Sequence, residues 1–209
     1  MFKLYVTNHL KALMTTYTIR TAAILLVILT ALNSFAQQEL KDEVSYNPNA
    51  SVDSSKKSIK SSVKAKIGEA SIVINYHSPA VRKRIIWGGL VPYGDVWVSG
   101  AHSATNIEIG KALKVEEKII PAGKYSLFTI PGEKEWIIII NKNWEQHLTD
   151  DYDTKDDLLR FKVKPIKKES TLERLQYFIT ASGSNKGIIA MEWEKIRIEF
   201  NIELIVNRQ

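Results

Sequence analysis

Cysteine is absent from all 209 residues. A chain without it has no disulfide framework and must be held together by an apolar core. The same absence removes the acylation site of bacterial lipoproteins, which lies directly after their cleavage point; here Gln37 follows the candidate point at Ala36. Long apolar runs are missing too. The uncharged apolar run Thr21 to Leu32 falls well short of the about 20 residues a bilayer-crossing helix needs. Charge of one sign is not in large excess either. All 23 acidic residues follow Ala36 and three of the 29 basic ones precede it, so the remainder is nearly balanced and gives no reason to expect nucleic acid as a partner. Neither a Gly-x-Ser-x-Gly elbow nor a His-x-His or His-Glu-x-x-His spacing occurs. No amphipathic helix of length and no internal repeat is evident.

What the N-terminus does contain is an address. Lys3, Lys11 and Arg20 precede the apolar run, and Ser34-Phe35-Ala36 forms a small-x-small cleavage site. Residues 1–36 therefore read as a signal peptide that is cut, leaving no membrane anchor and a periplasmic or extracellular product. Met14 is an alternative start, because Met14 to Ala36 already holds Arg20, the run and the cut site. Residues 37–57, rich in Ser, Asn, Asp and Lys, read as a flexible tether. Residues 58–209 read as a single domain.

From Ser58 onward the period of hydrophobicity is two. Ile59, Val63 and Ile67 share one parity and Lys60, Lys64 and Lys66 the other; Ile72, Ile74 and Tyr76 resume it after Gly68-Glu69, which predicts an opening hairpin. Asn106 to Val115 predicts one further strand, with turns at Glu116-Glu117 and Pro121-Ala122-Gly123. Trp136 to Ile140 is continuously apolar and suits a central strand covered on both faces. Trp144 to Asp157 is polar, with room for one short helix. Near the C-terminus, Ile189, Met191 and Trp193 are odd while Ile196, Ile198 and Phe200 are even, so a β-bulge is expected at Glu194-Lys195. The expected fold is all-β: an antiparallel β-sandwich, jelly-roll or immunoglobulin-like, of about nine strands with a long Trp/Gly-rich loop.

That loop, Ser78 to Thr105, does not alternate and carries the candidate site. One reading makes Trp87, Tyr93 and Trp97 flat platforms for a glycan, another envelope component or a small polar ligand, with Arg84, Asp95 and His102 as polar partners. The other has the tryptophans closing one end of the sandwich. Two further alternatives stand beside these: an envelope hydrolase using His77, Asp95 and His102, each histidine preceding a serine, and a scaffold that only contacts proteins. A metal on His77 and His102 with Asp95 or Glu108 has no local spacing to support it. The acidic run Asp150 to Asp157 lacks the oxygen ligand and the glycine of a calcium loop. No cofactor and no metal is expected.

Several motifs occur in a familiar order. Trp87-Gly88-Gly89-Leu90-Val91-Pro92-Tyr93-Gly94-Asp95-Val96-Trp97, Gly100-Ala101, Ala104-Thr105, Pro121 to Gly132, Trp136, Asn141-Lys142-Asn143-Trp144, Asp157 to Arg160 and Met191-Glu192-Trp193 resemble the exported bacterial family "domain of unknown function 2911" over about Ser71 to Ile202. The resemblance implies secretion and a single β-rich module, and it brings no activity with it. In the usual pattern Trp97 is followed by arginine, and Gly100-Ala101 by asparagine and glutamate; Val98, His102 and Ser103 stand there in this chain.

Overall fold

The computed structural model describes residues 57–206. The expected signal peptide and, except for Lys57, the expected tether lie outside the described residues.

The chain opens with β1 (Ser58–Ile67) and β2 (Ala70–Pro79), paired antiparallel from Ser58↔Pro79 to Ile67↔Ala70. Gly68 (φ +57°) makes the two-residue turn, a conformation that costs glycine nothing and most residues something. β3 (Thr105–Ile109) adds to β2, and β6 (Gly123–Ile130), β7 (Trp136–Asn141) and β8 (Asp157–Val163) follow, giving one six-stranded sheet in the order β1-β2-β3-β6-β7-β8. The second sheet runs β5-β4-β10-β9, built from β4 (Leu113–Val115), β5 (Lys118–Ile120), β9 (Ile166–Ala181) and β10 (Lys186–Leu204). Every pairing between strands is antiparallel. The domain is an antiparallel β-sandwich.

Asn106 to Val115 is not one strand. It breaks at Gly110, whose N–H donates to the Ser71 carbonyl at 2.8 Å, and the chain then crosses to the other sheet. Pro121-Ala122 is likewise a crossing, from β5 back to β6, rather than a hairpin turn. Alternation alone could not reveal this, because period two is the same in either layer.

The inward parity of both sheets supplies the core. Ile67, Ile72, Ile74, Ile107 and Ile138 meet Leu113, Leu175, Tyr177, Met191 and Ile202 in one continuous buried cluster, where each fully buried aliphatic side chain contributes about 1.5–3 kcal/mol relative to exposure. β10 serves this core along its whole length by changing parity at Glu194, where the register with β9 shifts and φ is +55°. The bulge lets Trp193 and Ile198 both point inward.

β7 is covered on both faces, as its apolar run requires. Ile138 and Ile140 belong to the main core, while Ile139 joins Phe128, Val98 and Ala104 in a second buried cluster on the outer face of the six-stranded sheet. The connection between β2 and β3 provides that cover. Trp97 bridges to Thr129 of β6 through two backbone hydrogen bonds (2.8 and 3.0 Å), taking the place beside β6 that β3 has vacated. Buried hydroxyls fix the segment: Tyr177 donates to the Ser99 carbonyl (2.9 Å), as does Thr105 (3.0 Å), and Ser99 Oγ bonds Thr129 Oγ1 (3.0 Å). A short 3-10 turn at Thr154–Asp156 precedes β8.

Candidate functional site

Opposite parity places polar residues on the outer face of the six-stranded sheet. Register aligns Ser62, Asn75, Asn106, Ser126, Asn141 and Asp157 in one row across all six strands. Asparagine is disfavoured in strands, so its recurrence here has a cause. At the Asp157 end the row holds down the β7–β8 connection: Asn141 Nδ2 donates to Asp157 Oδ1 (2.8 Å), Asn141 Oδ1 accepts from Asn143 N (2.9 Å), and Ser126 Oγ donates to the Asn143 carbonyl (2.7 Å). At the other end Asn75 Nδ2 donates to Asn106 Oδ1 (3.2 Å), and this pair stays only part-buried.

Over the Asn75–Asn106 pair lies a cleft of about 470 Å³, within the size range of small-ligand sites. Asn75, His77, Asn106 and Lys60 line it from the sheet; Trp144, Gln146 and His147 line it from the β7–β8 connection. That wall is zipped to the Trp/Gly loop, with Leu148 N donating to the His102 carbonyl (2.7 Å) and Ala104 N to the Gln146 carbonyl (3.0 Å). Gln146 is buried; its Nε2 donates to the Asn143 carbonyl (2.6 Å), and its Oε1 has no partner among the described residues. Trp144 is 37% exposed, with Lys124 Nζ 3.8 Å from its ring centroid. His147 Nδ1 faces Asp150 Oδ2 at 3.1 Å.

His77 lies opposite Lys60 in the β1–β2 ladder. Its ring meets that of His102 edge to face, with centroids 5.4 Å apart, and His102 Nε2 is 2.8 Å from Ser58 Oγ. Burial, then the neighbouring His102 and Lys60, hold the His77 imidazole below the ordinary histidine value. Close backbone packing makes the approach possible. A Cβ on Gly100 would stand 2.9 Å from Thr105 Oγ1 and 3.1 Å from the His77 carbonyl oxygen, so only glycine lets this part of the loop lie against β2.

The six loop residues singled out from sequence do not converge on this cleft. Trp87 and Trp97 belong to a four-tryptophan cluster with Trp136 and Trp193; Trp97 stacks on Trp193 at 6.0 Å, and its Nε1 donates to the Gly100 carbonyl (3.0 Å). Both rings pack on the main core. Arg84 folds back onto the Ala80 and Val81 carbonyls, bracing its own turn. Tyr93 is exposed and lies over Gly88; it shares a separate hollow of about 360 Å³ with Trp87, Trp136 and Lys167. Asp95 is exposed and has no side-chain hydrogen bond or ion pair among the described residues. Of the six, His102 alone stands at the cleft, through its contact with His77.

A hydrolytic relay is not assembled either. His77 and His102 meet, but Asp95 bonds neither ring, and the Ser78 hydroxyl is buried and donates to the Leu175 carbonyl (2.7 Å). Among the described residues no three His, Asp or Glu side chains are placed to hold a metal.

Sequence reasoning missed Lys60, Asn75, Asn106, Trp144, Gln146 and His147. The signal available was two asparagines inside otherwise apolar strands, and Trp144 at the end of the Asn141-Lys142-Asn143-Trp144 motif. The exchange positions have distinct fates. Val98 is buried in the outer cluster, whereas His102 (φ +63°) and Ser103 are exposed, Ser103 lining the cleft and His102 touching its lining residue His77. Residues 58–202 match the family described as "Protein of unknown function (DUF2911)", and the chain belongs to that family. No curated protein and no solved structure matches it.

Proposed function

We propose that this member of the family is an exported, non-catalytic module that binds a small polar ligand, a glycan fragment of the cell envelope, in the cleft on the outer face of the six-stranded sheet. One observation carries the reading. Asn75, His77 and Asn106 line a single concavity from the adjacent strands β2 and β3, beside a part-exposed tryptophan. Side-chain amides and an aromatic face are the groups that recognise a hydroxyl-rich ring. The N-terminal pattern of charge, apolar run and small-x-small site supports export.

The test is titration of the processed chain with envelope-derived oligosaccharides, followed by tryptophan fluorescence and by amide shifts. Binding should perturb Asn75, Asn106 and Trp144, and Trp144→Ala should weaken it at least about tenfold while the domain stays folded. Perturbations confined to Trp87 and Tyr93 would move the site to the other hollow, and turnover of the oligosaccharide would replace binding with hydrolysis. Cell fractionation with an antibody checks the address.

A further inference from the structure

We infer that the ligand of this cleft bears a negative charge beside the His77–His102 pair, its chemical class being an acidic sugar. The inference rests on the proposed binding reading and deepens it.

Two groups that carry or can take positive charge, Lys60 and His77, line one side of the cleft, and a third, His102, touches His77. Lys60 and His77 face each other across the β1–β2 ladder, and His102 lies ring-to-edge on His77 at 5.4 Å. His102 is held there by the Ser58 hydroxyl (2.8 Å) and by a left-handed backbone, φ +63°, that most residues avoid. No carboxylate answers them. Lys60, His77 and His102 have no ion pair among the described residues, whereas Lys124 has Glu108 (3.2 Å) and His147, in the same cleft, has Asp150 (3.1 Å). Glu145 lines the same cleft and pairs with none of the three. Lysines on an edge strand guard it against pairing with other sheets, which accounts for Lys64 and Lys66. It does not account for two histidines brought together at the mouth of a concavity. Like charges clustered without a counter-charge create a positive potential that an anion relieves. The lowered affinity of His77 for protons comes first from burial, and His102 and then Lys60 add to it by repulsion. The Asn75–Asn106 pair, with Asn75 Oδ1 and Asn106 Nδ2 not used by that bond, suits the hydroxyls of a sugar.

The experiment is calorimetric and NMR titration of the processed chain with glucuronate, glucose and sodium sulfate at pH 7.5 and 5.5. Glucuronate should bind about fivefold more tightly than glucose at pH 7.5, the size of one partly exposed charge pair. The advantage should widen as pH falls, because each proton His77 takes up adds positive charge beside a sugar carboxylate that stays ionised down to about 3.5. Bound glucuronate should also raise the His77 titration midpoint. Lys60→Gln with His102→Asn should erase the preference, bringing glucuronate affinity down to that of glucose in the same variant. Equal affinities for the two sugars, or a preference that survives the double substitution, would overturn the acidic-sugar assignment and leave the binding proposal standing. Sulfate competing as well as glucuronate would overturn the sugar class. Failure of both sugars to bind would remove the binding proposal and this inference with it.

Discussion

Replacing Trp97 with alanine separates the two readings of the Trp/Gly loop, and the structure favours one outcome. Trp97 stacks on Trp193 at 6.0 Å, touches Trp87 at 5.7 Å edge to face, and donates its indole hydrogen to the Gly100 carbonyl. Truncating a core tryptophan to alanine costs about 3–5 kcal/mol. Trp97 keeps some solvent contact, so the low end, about 3 kcal/mol, is the appropriate figure. For a domain of this size each kcal/mol moves the melting temperature by about 2–4 °C. The expected loss is therefore about 6–12 °C. Trp97→Phe keeps a ring in the cluster but not the hydrogen bond, and should cost about 1–2 kcal/mol. Thermal unfolding followed by circular dichroism, with urea midpoints as a check, measures both. A drop under about 2 °C for the alanine variant would mean that the ring is dispensable to packing, and would return Trp97 to the role of an exposed platform.

Other perturbations test other parts of the fold. Gly100→Ala should lower stability by about 1–3 kcal/mol, because its Cβ meets the His77 backbone oxygen at 3.1 Å and the loop must lift off β2; an unchanged urea midpoint would contradict the close approach. At the β10 bulge, Glu194→Val should cost about 1–2 kcal/mol and Glu194→Gly should cost nothing or stabilise, since φ is +55°; equal midpoints for the two would remove the bulge from the argument. His77 links stability to pH. Its folded value lies below its unfolded one, so the folded chain binds fewer protons, and this contribution is complete above the ordinary histidine value of 6.5 and is lost as pH falls below it. His77→Asn should flatten that part of the stability profile between pH 7.5 and 5, and an identical profile in the variant would show that other groups govern it.

Much of the architecture follows from residue order. The opening hairpin, the doubly covered β7 and the parity switch at Glu194 are local consequences of period-two hydrophobicity, because successive side chains in a strand must point to opposite faces. The same rule identified Lys60, Lys64 and Lys66 as outward-facing. What period two does not encode is the layer to which a strand belongs. Gly110 and Pro121-Ala122 send β4 and β5 to the second sheet, and that exchange depends on which inner face is left uncovered once the chain has collapsed.

The site divides along the same line. The aromatic and glycine-rich character of residues 78–105 was plain from composition, but composition does not distinguish a ring that closes a core from one that receives a ligand. Trp87 and Trp97 became packing residues only when Trp136 and Trp193, distant in sequence, met them in the interior. The cleft depends wholly on tertiary structure. Lys60, Asn75, Asn106 and Trp144 come from different strands and a later connection, and only antiparallel register and the backbone zipper from His102 to Leu148 place them around one hollow. Chain order specifies alternation; neighbours across a sheet are specified by how the strands align.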